Sequence, residues 1–292
     1  MIGVSAALAG GLALPAPAKA APPRSVAANL DADPELERVD IVRTRCRLFR
    51  GQRGTTRCEH LAILDGGRST TVSPVVETFL NLEVADYNRD GTPEVFSTGH
   101  VGNGGQAPIT VGLVGWTGTA PRPLFFFDTR RSDLGRSVAG ARAIFEGQAR
   151  SADPPAPLDL VLTEGVLSRR NAACCPSRQR TTVYRWNGSH YVPALRSLER
   201  AGKFLGLEEA RREAESSAEE LYLAGDATAF VLGDCSRRGG LVVDCTAVFR
   251  FSLPRSGDPG FCNSVVRVQR GTDPETLPGG PPCTDSPDFS AP

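Results

Sequence analysis

The chain has no excess charge of either sign, few histidines, and no long apolar run beyond its N-terminal segment. Thirty-three Lys and Arg residues balance thirty-three Asp and Glu residues. We therefore expect no basic surface for nucleic acid or for an anionic membrane. Three histidines without any Cys-x-x-Cys pair make zinc a weak alternative. The remaining runs are too short to span a bilayer, so no membrane span is predicted.

The N-terminal segment has the pattern of a secretion signal. Residues 2–14 are apolar, and the small residues that follow fit an A-x-A cleavage site after Ala20. We predict a signal peptide over residues 1–20, a flexible leader over 21–36, and a secreted, extracellular protein. A flexible Ala/Pro tail is the alternative, because no basic segment precedes the apolar run.

Eight cysteines form an even set, as expected for an exported protein. Their spacing suggests the pairs Cys46–Cys58, Cys235–Cys245 and Cys262–Cys283. The first two pairs flank turn-like segments and could each join two antiparallel strands, and the third would close the C-terminal segment. The adjacent Cys174 and Cys175 leave two alternatives. They form a strained, reducible bridge with each other, or they make structural bonds.

An oxygen-rich loop between two apolar, extended runs carries the strongest chemical signal. Side-chain oxygens fall at alternate positions, and Gly91 follows where the backbone must turn. The predicted metal ligands are Asp86, Asn88, Asp90, the carbonyl near Thr92, and Glu94. Calcium takes six to eight hard oxygen ligands, so this set supplies most of a coordination shell. An Asp/Asn/Gly turn without metal is the alternative.

The spacing of this loop distinguishes it from an EF-hand, which requires a glutamate where Ser97 stands. The residues Asp86, Asn88, Asp90 and Glu94 match a D-x-[DN]-x-D-G-x-x-[DE] pattern. In this respect the chain resembles the FG-GAP or VCBS-type repeats of secreted and cell-surface proteins, the class to which integrin propeller blades belong. The resemblance implies a calcium loop that joins two strands of a blade-like unit.

Residues 37–197 have the composition of a β-repeat domain, with short apolar stretches between Gly, Pro, Asp and Asn. The two tryptophans lie in matching contexts, Trp116-Thr-Gly-Thr and Trp186-Asn-Gly-Ser, and residues 61–67 form a weaker third copy. We expect blade-like antiparallel repeats, arranged as a partial propeller or a sandwich. Ala149 to Pro157 replace the ligands in the later copy, so one calcium site is expected.

Residues 198–292 change in pattern. Leu207, Ala210, Ala214 and Leu221 recur at helical spacing before Gly225, and three extended runs follow. We predict a small α+β domain in which one helix lies on an antiparallel sheet stapled by disulfides, with a Pro/Gly-rich tail. The predicted fold class is therefore mainly β in the N-terminal domain, followed by this small domain.

Catalytic motifs give little support for an enzyme. No G-x-S-x-G, H-E-x-x-H or P-loop occurs in the sequence. His100 follows the loop and could place a base near an ion, or be a solvated loop histidine.

Two functions from different classes remain. The first is a calcium-stabilised binding or structural module whose partner is a cell-envelope glycan or protein, or another extracellular polymer. Loops 102–107 and 168–177 would form its contact surface. The second is a secreted hydrolase with a calcium-ordered active-site loop.

Overall fold

A computed structural model describes residues 23–31, 33–48, 53–101, 109–117, 120–129, 133, 138–147, 156–167, 176–224, 227–252 and 259–278. Its strands form four antiparallel sheets, and in each sheet consecutive strands pair with one another. The first sheet contains β1 (Ser25–Ala28), β2 (Glu37–Cys46), β3 (Thr56–Asp65) and β4 (Arg68–Thr71). The second contains β5 (Thr78–Ala85), β6 (Glu94–His100), β7 (Ile109–Thr117) and β8 (Ala120–Asp128). The third contains β9 (Val138–Glu146), β10 (Asp159–Val166), β11 (Arg178–Trp186) and β12 (Tyr191–Arg200).

The first three sheets repeat one arrangement. The Trp116 and Trp186 motifs and the weaker copy at residues 61–67 all lie at the hairpin between the third and fourth strands of a sheet. An acidic residue begins the second strand each time, as Glu37, Glu94 or Asp159. The mainly β fold, built from small antiparallel sheets, is therefore confirmed.

Shared apolar cores stack these sheets on one another. Val39 and Leu61 of the first sheet pack in one buried cluster with Val95 of the second. Phe96 packs in another cluster with Leu160 of the third sheet. Neighbouring side chains of β6 enter different cores because successive residues of a strand point to opposite faces. The second sheet is thus covered on both sides.

The fourth sheet and the helix form the α+β part. This sheet contains β13 (Ala229–Arg237), β14 (Val242–Ser252), β15 (Pro259–Gln269) and β16 (Glu275–Pro278). Helix α1 (Leu207–Leu223) packs Ala210, Ala214 and Ala218 into a core with Phe249 and Val266 of the sheet. Alanines every fourth residue allow the helix to approach the strands closely, and their face is fully buried.

Disulfides connect neighbouring strands, as predicted. Cys46–Cys58 joins β2 to β3, and Cys235–Cys245 joins directly opposed residues of β13 and β14. Cys262 is also disulfide-bonded. The remaining cysteines, Cys174, Cys175 and Cys283, lie outside the described residues.

A buried ion pair joins the third sheet to the fourth. The Arg237 guanidinium donates to both carboxylate oxygens of Glu146 at 2.7 and 2.9 Å, and both side chains are more than nine-tenths buried. Glu199 of β12 accepts hydrogen bonds from the Gly240 N–H at 2.6 Å and the Leu241 N–H at 2.9 Å. The predicted boundary between residues 197 and 198 falls inside β12, so this strand contributes to both parts.

The expectation of a flexible leader over 21–36 is wrong for β1, which pairs antiparallel with β2. This edge strand is only four residues long, and its Val26 and Ala28 side chains pack against the core. So short a run gives little pattern by which to recognise a strand. Among the described residues, no helix combines the length and the apolar character needed to cross a membrane.

Candidate functional site

The predicted calcium loop connects β5 to β6 and is held by its own polar side chains. Gly91 turns the backbone at φ 93°, a left-handed conformation that side chains disfavour, and Arg89 is left-handed as well. Asp86 accepts hydrogen bonds from the Asp90 N–H at 3.2 Å and from the Gly91 N–H at 3.1 Å. These contacts draw the loop around its acidic side chains.

Two further side chains fix the middle of the loop. Asn88 Oδ1 accepts from the Asp90 N–H at 2.8 Å, and its amide nitrogen donates to Asp90 Oδ2 at 2.8 Å. Asp90 Oδ1 in turn accepts from the Thr92 N–H at 2.8 Å. Asp and Asn favour such bonds to nearby backbone, which explains why this short segment closes on itself.

Glu94 lies beneath the loop and is almost fully buried, with 2% of its surface exposed. Its Oε2 accepts from the N–H groups of Tyr87 at 2.7 Å and Asn88 at 3.3 Å. Burial raises the pKa of Glu94 to about 7; the two backbone hydrogen bonds oppose this, and the charges of Asp90 and Asp86 add to it. Ionising the Glu94 carboxyl in the folded chain therefore costs free energy unless a positive charge lies beside it.

The arrangement fits a divalent cation. Carboxylate oxygens of Asp86, Asp90 and Glu94 lie within 4.8 Å of one another, and the loop adds the Asn88 side chain and the Thr92 backbone. These are the hard oxygen donors that calcium takes. A cation here would oppose the effects of burial and of the Asp90 and Asp86 charges, which together raise the pKa of Glu94.

A cleft opens beside this loop, between the second and third sheets. It has a volume of about 360 Å³, and Asn88, Asp90, Thr92 and Glu94 form one side of it. Both tryptophans of the chain also line the cleft. The remaining lining residues are Arg122, Pro123, Leu124, Gly188, Ser189 and His190.

The repeated topology explains why the tryptophans meet the loop. Trp116 lies near the end of β7 and Trp186 ends β11, the equivalent third strands of the second and third sheets. Trp186 packs at 5.4 Å from the Tyr191 ring, which is itself buried. The sequence placed both residues in matching hairpins but gave no sign that they share a cleft with the loop.

His100 does not approach the loop, which argues against the alternative that it places a base near an ion. It ends β6, whose first residue is Glu94, and an extended strand of this length separates the two by roughly 20 Å. The histidine in the cleft is His190, whose Nδ1 lies 2.8 Å from Ser189 Oγ. In the sequence, this location was indicated by the position of His190 directly after the Trp186 motif.

The predicted contact loops at 102–107 and 168–177 fall largely outside the described residues, and so do most of residues 149–157. No protein-family model, no curated protein and no solved structure matches this chain.

Proposed function

We propose that this chain is a secreted, calcium-stabilised binding module whose ligand is a glycan of the cell envelope or of another extracellular polymer. The observation that carries the proposal is the convergence of the acidic loop and both tryptophans on one cleft. The disulfides support an oxidising, extracellular location. The resemblance of the loop to FG-GAP and VCBS-type repeats points in the same direction.

The cleft offers the contacts that a sugar ring requires. Trp116 and Trp186 provide flat apolar surfaces with a polar edge, on which the apolar face of a sugar can lie. Arg122, Ser189 and His190 provide hydrogen-bonding groups beside them. Binding sites commonly combine such aromatic walls with a few polar groups that fix orientation.

Bound calcium would have a structural role, and binding of the glycan in the cleft would depend on it. Asp86, Asn88, Asp90 and Glu94 hold the loop by hydrogen bonds to its backbone. Bound calcium would neutralise the carboxylates and fix the side of the cleft that they form. Calcium is therefore expected to increase both stability and ligand affinity.

Binding to immobilised cell-envelope polysaccharides, with calcium or with EDTA, tests the proposal. We expect binding in calcium only, and a loss of at least about tenfold for Arg122→Ala and Trp186→Ala. Arg68→Ala is the matched control, since Arg68 is an exposed arginine in the fourth strand of the first sheet. Equal binding by wild type, Arg122→Ala and Trp186→Ala would show that this cleft is not the glycan-binding site.

The metal is tested separately by thermal unfolding. Asp90→Ala removes one carboxylate and the acceptor of the Thr92 N–H. We expect wild type to lose stability in EDTA, and Asp90→Ala to melt lower and to lose less stability in EDTA than wild type does. Identical melting curves for wild type with and without EDTA would contradict a bound ion.

A secreted hydrolase is the second candidate, favoured by the contact between Ser189 and His190 in the cleft. A hydroxyl beside an imidazole is the minimal arrangement for nucleophilic catalysis. The test is turnover of ester, peptide or glycan substrates by wild type and by His190→Ala. Turnover that is lost in His190→Ala would favour a hydrolase over a binding module.

A further inference from the structure

The loop that precedes β2 repeats the pattern of the loop that precedes β6. Counted back from the acidic first residue of each strand, oxygen-bearing side chains occupy the same four positions. The first loop has Asn29, Asp31, Asp33 and Glu37 where the second has Asp86, Asn88, Asp90 and Glu94. Pro34 replaces Gly91, which is why the sequence pattern alone did not indicate this loop.

The buried glutamate makes the same contact in both loops. Glu37 Oε2 accepts a hydrogen bond from the Leu30 N–H at 2.5 Å, as Glu94 Oε2 does from the Tyr87 N–H at 2.7 Å. Both glutamates begin the second strand of their sheet and are at most 2% exposed. Each carboxylate therefore lies under its loop in the same position.

The bonds within the loop are repeated as well. Asp31 Oδ1 accepts from the Asp33 N–H at 3.1 Å, and Asp33 Oδ1 accepts from the Glu35 N–H at 2.7 Å. The equivalent bonds in the second loop run from the Asp90 N–H to Asn88 and from the Thr92 N–H to Asp90. These two hydrogen bonds are thus common to both loops, whereas Pro34 cannot take the left-handed conformation that Gly91 adopts.

Unpartnered oxygens in the first loop point to a missing ligand. Glu37 is 1% exposed, and its Oε1 has no hydrogen-bond partner among the described residues. The Oδ1 atom of Asn29 is buried without a partner in the same part of the structure. Leaving a carboxylate oxygen buried and unpaired is costly, and a bound cation would remove that cost.

A further carboxylate from outside the loop completes the cluster. Asp65, the last residue of β3, places an oxygen within 4.8 Å of oxygens of Asp31 and Glu37. The next pair along the strands is Arg38 with Leu64, so Asp65 lies beside Glu37 across the sheet. In the second sheet the residue beside Glu94 is Gly115, which has no side chain to offer.

In the third sheet, an arginine lies beside the equivalent acidic residue. Asp159 begins β10, and its carboxylate lies 3.4 Å from the Arg185 guanidinium on the neighbouring strand. An arginine therefore supplies the positive charge there. For Glu37, the neighbour across the sheet is the carboxylate of Asp65.

We infer that Asn29, Asp31, Asp33, Glu37 and Asp65 form a second binding site for a hard divalent cation, with calcium as the expected ion. The ligands are carboxylate and amide oxygens from five side chains. Magnesium usually takes only one or two carboxylates from the protein, so this number of ligands favours calcium. The site does not depend on the cleft or on any glycan. It would hold the loop between β1 and β2 against the end of β3.

Counting bound calcium in the full chain by calorimetric titration and native mass spectrometry tests this site. After removal of metal with EDTA, wild type is expected to bind two ions. Asp65→Asn should lose one of them, or weaken it at least about tenfold. Glu35→Gln is the matched control, because Glu35 is an exposed carboxylate of the same loop that lies outside the cluster; it should keep both ions.

Asp90→Ala separates the two sites. If it loses one ion and Asp65→Asn loses the other, both sites exist. If Asp90→Ala changes nothing while Asp65→Asn abolishes binding, only the site at Glu37 exists. A single ion in wild type that Asp90→Ala removes, or full occupancy in Asp65→Asn with a native circular dichroism spectrum, would overturn the inference.

Discussion

Glu94 allows a quantitative prediction about the calcium-free chain. Its pKa rises from an ordinary value of 4.5 to about 7, chiefly because the carboxyl is buried. Below about pH 4.5 the group is neutral in both folded and unfolded chains and costs nothing. Above about pH 7 it must be charged in the folded state, which costs about 3 kcal/mol, at about 1.4 kcal/mol for each pH unit of the pKa difference.

The sign of the effect follows from this difference. A folded pKa above the unfolded pKa means that stability falls as pH rises between about pH 4.5 and about pH 7. Glu94→Gln cannot ionise, but it keeps an oxygen that can accept from the Tyr87 N–H. In EDTA, we therefore expect the variant to lose less stability than wild type over this range, by up to about 3 kcal/mol.

Urea unfolding of wild type and Glu94→Gln in EDTA, measured at several pH values from 4.5 to 7.5, checks this difference. In calcium, wild type should lose most of its pH dependence, because the cation favours the charged carboxylate. Parallel curves of unfolding free energy against pH for the two proteins in EDTA would show that ionisation of Glu94 does not destabilise the fold.

Three further changes test other parts of the structure. Arg237→Leu leaves Glu146 buried without its partner and should destabilise the fold by about 3 to 5 kcal/mol in urea unfolding. Replacing Cys235 and Cys245 together by serine opens a short loop and should cost about 3 kcal/mol, measured in the same way. Gly91→Ala forces a side chain into a left-handed conformation and should lower stability by about 1 kcal/mol or more in thermal unfolding.

Matched variants control these changes. The double variant Arg237→Leu/Glu146→Leu removes both charges and should be more stable than Arg237→Leu alone; a double variant that is less stable would refute the burial argument. Gly147→Ala adds a methyl group outside the left-handed region, 3.6 Å from Leu158, and should be near neutral. The disulfide reasoning fails if reduced wild type is as stable as oxidised wild type.

Features that depend on neighbouring residues in the chain were predictable. Short apolar runs between turn residues indicated most strands, and alanines at helical spacing indicated α1. Cys46–Cys58 and Cys235–Cys245 followed from their turn-like spacers. The loop from Asp86 to Glu94 closes on itself through local hydrogen bonds, so its form was also contained in its spacing.

Edge strands were harder to predict, since each of these is only four residues long. Ser25–Ala28, Arg68–Thr71 and Glu275–Pro278 contain no fully buried residue, and each pairs with a single neighbour. Their extended form comes from hydrogen bonds to that neighbour. A segment this short is interpreted as a leader or a turn when only its own residues are considered.

The sequence by itself determined the local units: which segments extend, where the helix lies, which cysteines can pair across a hairpin, and which loop gathers oxygen atoms. Only the tertiary structure decided which units meet. It brought Trp116 and Trp186 into one cleft, separated His100 from Glu94, and placed Asp65 beside Glu37. The reason is that such contacts join strands of different hairpins or different sheets, and their geometry is set by packing between sheets rather than by spacing along the chain.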